Sequence, residues 1–143
     1  MLDITSTARQ EALKIASGVR GIRIYYPAHA IPRSSFSINS PRAYKICGPQ
    51  GRCWASFRYI IQSGLIGEYY GLQGTAWMNP PILDGPHETH RYGRRRLEMY
   101  YDGDRLRLVA WREKDAVYWV SNTLLQSLTA RQMIDIARTA RPL

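Results

Sequence analysis

The chain has no run of 18 apolar residues, so nothing in it reads as a membrane-spanning helix. It has only two cysteines, and its three histidines are distant from them, too few well-spaced ligands for a zinc site. Acidic residues are scarce: 11 against 20 basic ones, with Glu68, Asp84 and Glu88 the only carboxylates near the glycine- and proline-rich middle. No nucleophile–base pair, Gly-x-Ser-x-Gly elbow, phosphate loop or dinucleotide fingerprint is present, and no helix-turn-helix pattern supports DNA regulation. An uncharacterised enzyme stays open only as a deep pocket where Glu68 or Asp84 meets a histidine. No cofactor is expected. Met1-Leu2-Asp3-Ile4-Thr5 lacks the basic and apolar regions of a signal peptide, so the chain, if complete as given, reads as cytoplasmic.

What remains is an ordinary globular composition with an unusual charge. At 143 residues and 45% hydrophobic content, the chain is long enough for one domain, 1–143, with its own core. Of its 20 basic residues, 17 are arginine, and the net charge is +9. A surface of that sign attracts polyanions: nucleic acid, anionic lipid or acidic wall polymer.

Periodicity predicts the elements. Residues 5–17 read as a helix with Ala8, Ala12, Ile15 and Ala16 on one side, ended by Ser17-Gly18. Residues 21–26 form a β-like run stopped by Pro27, followed by loop to Pro41 with a short strand near 35–38. Residues 42–47 and 52–62 form a hairpin about the Pro49-Gln50-Gly51 turn. Its mixed second strand does not reveal a core face. Cys47 and Cys53 flank the turn. They are either a disulfide, which implies an oxidising compartment, or two unpaired, partly buried thiols. A strand region at 66–77 is interrupted by Gly67, Gly71 and Gly74, which mark bulges or close backbone contacts. Residues 78–93 read as a long loop. Three strands then follow, within 96–101, 105–111 and 116–120. A helix over 129–139 opens with the capping box Thr129-x-x-Gln132 and carries the stripe Met133, Ile136, Ala137, Ala140. The fold class is α+β: one twisted antiparallel sheet of about five to seven strands, with N-terminal and C-terminal helices packed on it.

The densest charge cluster is Arg91-Tyr92-Gly93-Arg94-Arg95-Arg96. Its functional reading is a polyanion contact in which Tyr92 stacks on a ring or base; its bland reading is a solvated approach to a strand, with arginine stems on apolar surface. Alternation puts Arg105 and Arg107 opposite Leu106 and Leu108, extending the patch, with Arg112 beyond. Residues 78–90 would shape the edge of the site. His87 and His90, three apart in a loop, read as solvated, and His29 as a surface residue without a partner. In each doublet, Tyr25-Tyr26, Tyr69-Tyr70 and Tyr100-Tyr101, one ring faces the core and its neighbour the other face. Outward Tyr and Arg would suit sugars or stacked bases; the alternative is that all the rings are packing.

Three segments together carry a resemblance: Ile24-Tyr25-Tyr26-Pro27; residues 67–77 with Pro80-Pro81-Ile82-Leu83; and residues 105–111 with Tyr118-Trp119-Val120-Ser121-Asn122-Thr123-Leu124. The combination resembles an extracytoplasmic accessory region attached to LytR-CpsA-Psr cell-envelope proteins of high-GC Gram-positive bacteria, over most of the chain. That family's catalytic domain uses arginines and aspartates to hold a polyprenyl pyrophosphate and magnesium. No segment here matches that motif, so no catalytic residue carries over. The resemblance implies a non-catalytic, extracytoplasmic module that binds or positions an anionic cell-wall polymer or a membrane-anchored envelope protein. A nucleic-acid-binding protein is the alternative.

Overall fold

The computed structural model describes residues 1–64 and 68–143. Along the chain run β1 (Leu2–Asp3), α1 (Thr5–Ile15), β2 (Tyr25–Tyr26), β3 (His29–Ala30), β4 (Ser35–Phe36), β5 (Arg42–Cys47), β6 (Cys53–Gln62) and β7 (Tyr69–Thr75). They are followed by β8 (Glu88–Tyr92), β9 (Arg95–Asp102), β10 (Arg105–Arg112), β11 (Val117–Ser121), α2 (Ala130–Thr139) and β12 (Arg141–Pro142). The class is α+β, and every strand pairing is antiparallel.

The main sheet has eight strands, one more than the upper bound drawn from the sequence, and two small pairs, β1–β3 and β12–β2, lie outside it. The extra strand arises because one edge is split. β4 and β5 both pair along β6, at Ile61–Gln62 and at Cys53–Arg58. Between them the Ser37 amide donates to the Ile60 carbonyl, and the Ile60 amide donates to Ser40 Oγ at 2.6 Å. The order across the sheet then runs β6-β7-β11-β10-β9-β8. β8 to β11 are consecutive hairpins, and the 78–87 segment crosses from the middle of the sheet to its far edge.

Both helices serve one face. On α2 the Thr129 hydroxyl accepts from the Gln132 amide at 3.2 Å and Gln132 Oε1 accepts from the Thr129 amide at 2.9 Å, which completes the capping box. Thr129→Ala should cost about 1 kcal/mol, read as a lower urea midpoint at unchanged m-value. Met133, Ile136 and Ala137 are buried against β9, β10 and β11. Burial of each large side chain contributes roughly 1.5–3 kcal/mol. α1 buries Ala8, Ala12 and Ile15 and sits mainly against β2 rather than squarely on the sheet. The shared core contains Phe57, Tyr59 and Ile61, which identifies the inward face of β6 that its mixed sequence concealed.

Three local expectations change, and a fourth, left open between two readings, is decided. Tyr25 and Tyr26 are both buried, because β2 is not a strand of the main sheet but lies over its helix-side face, Tyr25 being 4.6 Å from Tyr118 between ring centroids. The 78–93 stretch is no loop throughout: it holds a 3-10 turn at Pro81–Leu83 and the edge strand β8. A bulge between Leu106 and Leu108 breaks alternation, so Leu106 joins the helix-side core while Leu108 joins a second cluster on the opposite face. Gly71 and Gly74 mark close contacts: an added Cβ would lie 2.3 Å from the Tyr59 carbonyl oxygen and 2.6 Å from the Phe57 ring respectively. The pairing of β7 runs on without a bulge at either. The interruption expected at Gly67 lies outside the described residues.

Candidate polyanion groove beside the edge hairpin

The β8–β9 hairpin turns at Gly93-Arg94, where Gly93 has φ of 62°, a left-handed conformation that glycine adopts without strain. β8 is exposed along its whole length. Its charged side chains keep this sheet edge from pairing with another chain. Alternation then sorts the arginine run into different environments.

Arg95 shares its face with Leu97 and Met99 and points toward the helices. Its Nη1 donates to the Ala137 carbonyl at 2.7 Å and the Ala140 carbonyl at 3.1 Å, closing the C-terminus of α2. The guanidinium also lies 4.7 Å from the Trp111 ring centroid and 5.4 Å from that of Tyr25. Burial lowers its pKa, with the neighbouring Tyr25 and Glu113 opposing. Arg95 is thus taken up by the fold.

Arg91 and Arg96 stand directly opposite each other across the hairpin, on the face away from the helices, both exposed. Like charges in that position repel. Arg96 donates only to Thr89 Oγ1, at 3.2 Å, and no ion pair engages Arg91, Arg94 or Arg96 among the described residues. Arg94 is exposed at the tip. Tyr92 points to the helix side and lines a groove of about 790 Å³ against the outer face of α2, together with Met1, Pro32, Arg131, Ile134 and Arg138. Asp135, also in this groove, is already engaged by Arg138 at 2.9 Å and by His29 Nδ1 at 2.6 Å. His29 therefore has a partner, which local sequence could not reveal because it lies on an element more than a hundred residues away. Arg131 and Arg138 were missed as site residues. Their signal is the i, i+7 spacing opposite the Met133 stripe.

Arg105 and Arg107 do not extend this patch. Arg105 pairs with Asp102 at the other end of β9, roughly 23 Å from Arg95 at the usual rise per residue. There Arg105 Nη1 reaches the Gln126 carbonyl at 3.5 Å, beside a loop that exposes Leu124 and Leu125. Arg112 is paired with Glu98 at 2.8 Å. His87 Nδ1 accepts from the Tyr101 amide at 3.0 Å, and His90 lies 2.9 Å from Glu88 on β8. Glu68 meets the Ser63 hydroxyl at 3.3 Å, and no hydrogen bond links Glu68 or Asp84 to a histidine among the described residues.

Cys47 and Cys53 form a disulfide. The Gly48 amide bonds the Arg52 carbonyl at 2.8 Å, so the cysteines occupy the next, more closely spaced pair of the ladder, with Cα atoms 4.0 Å apart. Beside them Trp54 and Trp77 stack at 4.4 Å with 7° between planes, and the Arg52 guanidinium lies 5.1 Å from Trp54. Replacing both cysteines by serine should cost about 2 kcal/mol from loop closure alone, seen as a lower thermal midpoint that reducing agent no longer changes.

No helix among the described residues is long and apolar enough to cross a membrane, and no cluster of metal-ligating side chains occurs among them. No protein-family model, curated protein or solved structure matches the chain.

Proposed function

We propose that this protein is a non-catalytic, cell-envelope-associated module that binds an anionic polymer along the β8–β9 hairpin and the adjoining α2 groove. The observation that carries it is the opposed pair Arg91 and Arg96, with Arg94 at the tip, all exposed and without a carboxylate partner among the described residues. Such a cluster repels itself unless an anion sits between its members. Tyr92, 36% exposed at the groove rim, adds a ring for stacking. Arg131 and Arg138 carry the positive surface onto α2. The envelope setting rests on the resemblance described above, and the Cys47–Cys53 bond fits an oxidising compartment. A membrane-anchored envelope protein would meet the module through the same surface if its contact patch is acidic.

Duplex DNA would use the same guanidinium groups, and both complexes would weaken with salt. Competition separates them. Fluorescent polyglycerol phosphate bound to the protein should be displaced by unlabelled polyglycerol phosphate at lower phosphate concentration than by duplex DNA. The reverse order would make this a nucleic-acid-binding protein.

A further inference from the structure

The sheet face away from the helices is covered unevenly. Over β9, β10 and β11, Leu83 packs on Tyr100, Leu108, Ala110, Val117 and Trp119. Toward β6 and β7 the same face carries Arg58, Ile60, Tyr69 and Gln73, each at least partly exposed. Register places Arg58, Gln73 and Trp119 in one row across β6, β7 and β11. Tyr44 supports that row: its hydroxyl donates to Gln73 Oε1 at 3.1 Å, and its ring centroid lies 5.5 Å from the Arg58 guanidinium.

Beside the row is a concavity of about 230 Å³ lined by Arg58, Ile60, Tyr69, Gly71, Gln73 and Ser121. Gly71 stands between Ile60 and Ser121 in the ladder and raises no side chain there. Any side chain at this position would also strike the Tyr59 carbonyl. Three features ask for a ligand. Arg58 makes no ion pair among the described residues, and no carboxylate lines the concavity. Arg58 Nε is buried without a hydrogen-bond partner among the described residues. Buried N–H groups are almost always paired, so an orphan donor on a residue that lines the concavity points to an absent acceptor. At the rim the Tyr69 ring is 44% exposed.

We infer that this concavity is a binding site for an acidic sugar, with the sugar carboxylate held by Arg58, its ring lying on Tyr69, and its hydroxyls meeting Gln73 and Ser121. The planar guanidinium matches a carboxylate in a two-point contact. A neutral sugar would leave the Arg58 charge unanswered. The volume admits about one sugar unit, far less than a drug-sized pocket. The site shares a sheet face with Arg91 and Arg96 but lies on β6, β7 and β11, with β10 between it and the β8–β9 hairpin, and it does not rest on the polymer reading.

Calorimetric titration of the oxidised protein with glucuronate, glucose and acetate tests the assignment, with the Arg58 Nε–Hε NMR correlation as a local reporter. Glucuronate should bind saturably and shift that correlation, glucose should bind at least tenfold more weakly, and acetate likewise. Arg58→Gln and Tyr69→Ala should each weaken glucuronate by tenfold or more, the second variant at an exposed rim position that leaves the core intact. Arg58→Lys, keeping charge but losing the fork, should also weaken it. Arg91→Ala with Arg94→Ala should leave glucuronate binding unchanged while reducing polymer binding. Equal affinity for glucose would overturn the inference, and so would equal affinity for acetate, no binding, or glucuronate binding indifferent to folded Arg58→Gln and Tyr69→Ala variants.

Discussion

Arg95→Ala should destabilise the fold by about 2–4 kcal/mol, whereas Arg94→Ala, one residue away, should change stability by less than about 0.5 kcal/mol. The contrast follows from strand alternation. Arg95 closes α2 through the Ala137 and Ala140 carbonyls and lies against Trp111 and Tyr25. Removing it leaves two carbonyls of the last helical turn without that donor and exposes the edge of Trp111, which is otherwise 1% exposed. Hydrogen bonds from a charged donor are worth roughly 1.5–3 kcal/mol, and a cation over an aromatic ring adds about 0.5–2 kcal/mol. The sum is kept below simple addition because Arg95 is only partly buried and water can reach part of what it leaves. In a domain of this size a loss near 3 kcal/mol lowers the thermal midpoint by about 10 °C. Arg95→Lys should recover part of the loss, since an ammonium group supplies donors without the planar fork. Urea melts of Arg94→Ala, Arg95→Ala and Arg95→Lys decide the matter. If Arg95→Ala melts like the parent but loses polymer affinity, Arg95 is a ligand contact and its structural role is wrong.

The second large effect concerns binding. Arg91→Ala, Arg94→Ala and Arg96→Ala combined should weaken polyglycerol phosphate binding about a hundredfold at low salt, at about 1 kcal/mol for each exposed guanidinium contact. The slope of log affinity against log salt should fall by about 2, because a flexible single-stranded polyanion releases roughly 0.7 counterion per phosphate neutralised. All three side chains are exposed and none is in an ion pair among the described residues, so the triple variant should keep the parent's stability. Adding Arg131→Ala and Arg138→Ala should weaken binding further if the polymer runs through the groove. An unchanged salt slope in the triple variant would mean that these guanidinium groups do not meet the polymer.

Local chemistry made part of this architecture readable. The 129–139 helix declared itself through a capping box and an apolar stripe, both of which depend on residues a few positions apart. The hairpins after residue 95 followed from alternation, and the 42–62 hairpin from its turn. The bulge at Arg107 was not visible, because an extra residue in one strand is set by how the partner strand fits; with it went the face assigned to Arg105 and Arg107. Arg95 was grouped with its neighbours by sequence adjacency, although its parity with Leu97 and Met99 already pointed inward. The split edge of β4 and β5 depends on Ser40 bonding the Ile60 amide, a long-range contact with no local signature. The groove was out of reach for the same reason: it exists only once α2 packs beside the hairpin, and only then do Arg131 and Arg138 meet Tyr92.

The most direct test of the proposed polymer-binding surface is an amide chemical-shift map recorded while polyglycerol phosphate is added to the oxidised protein. Saturable shifts should be confined to Arg91, Tyr92, Gly93, Arg94 and Arg96 and to the outer turns of α2 around Arg131 and Arg138. Shifts that gather instead around Arg105, Arg107 and the 122–126 loop, with the hairpin tip silent, would contradict it.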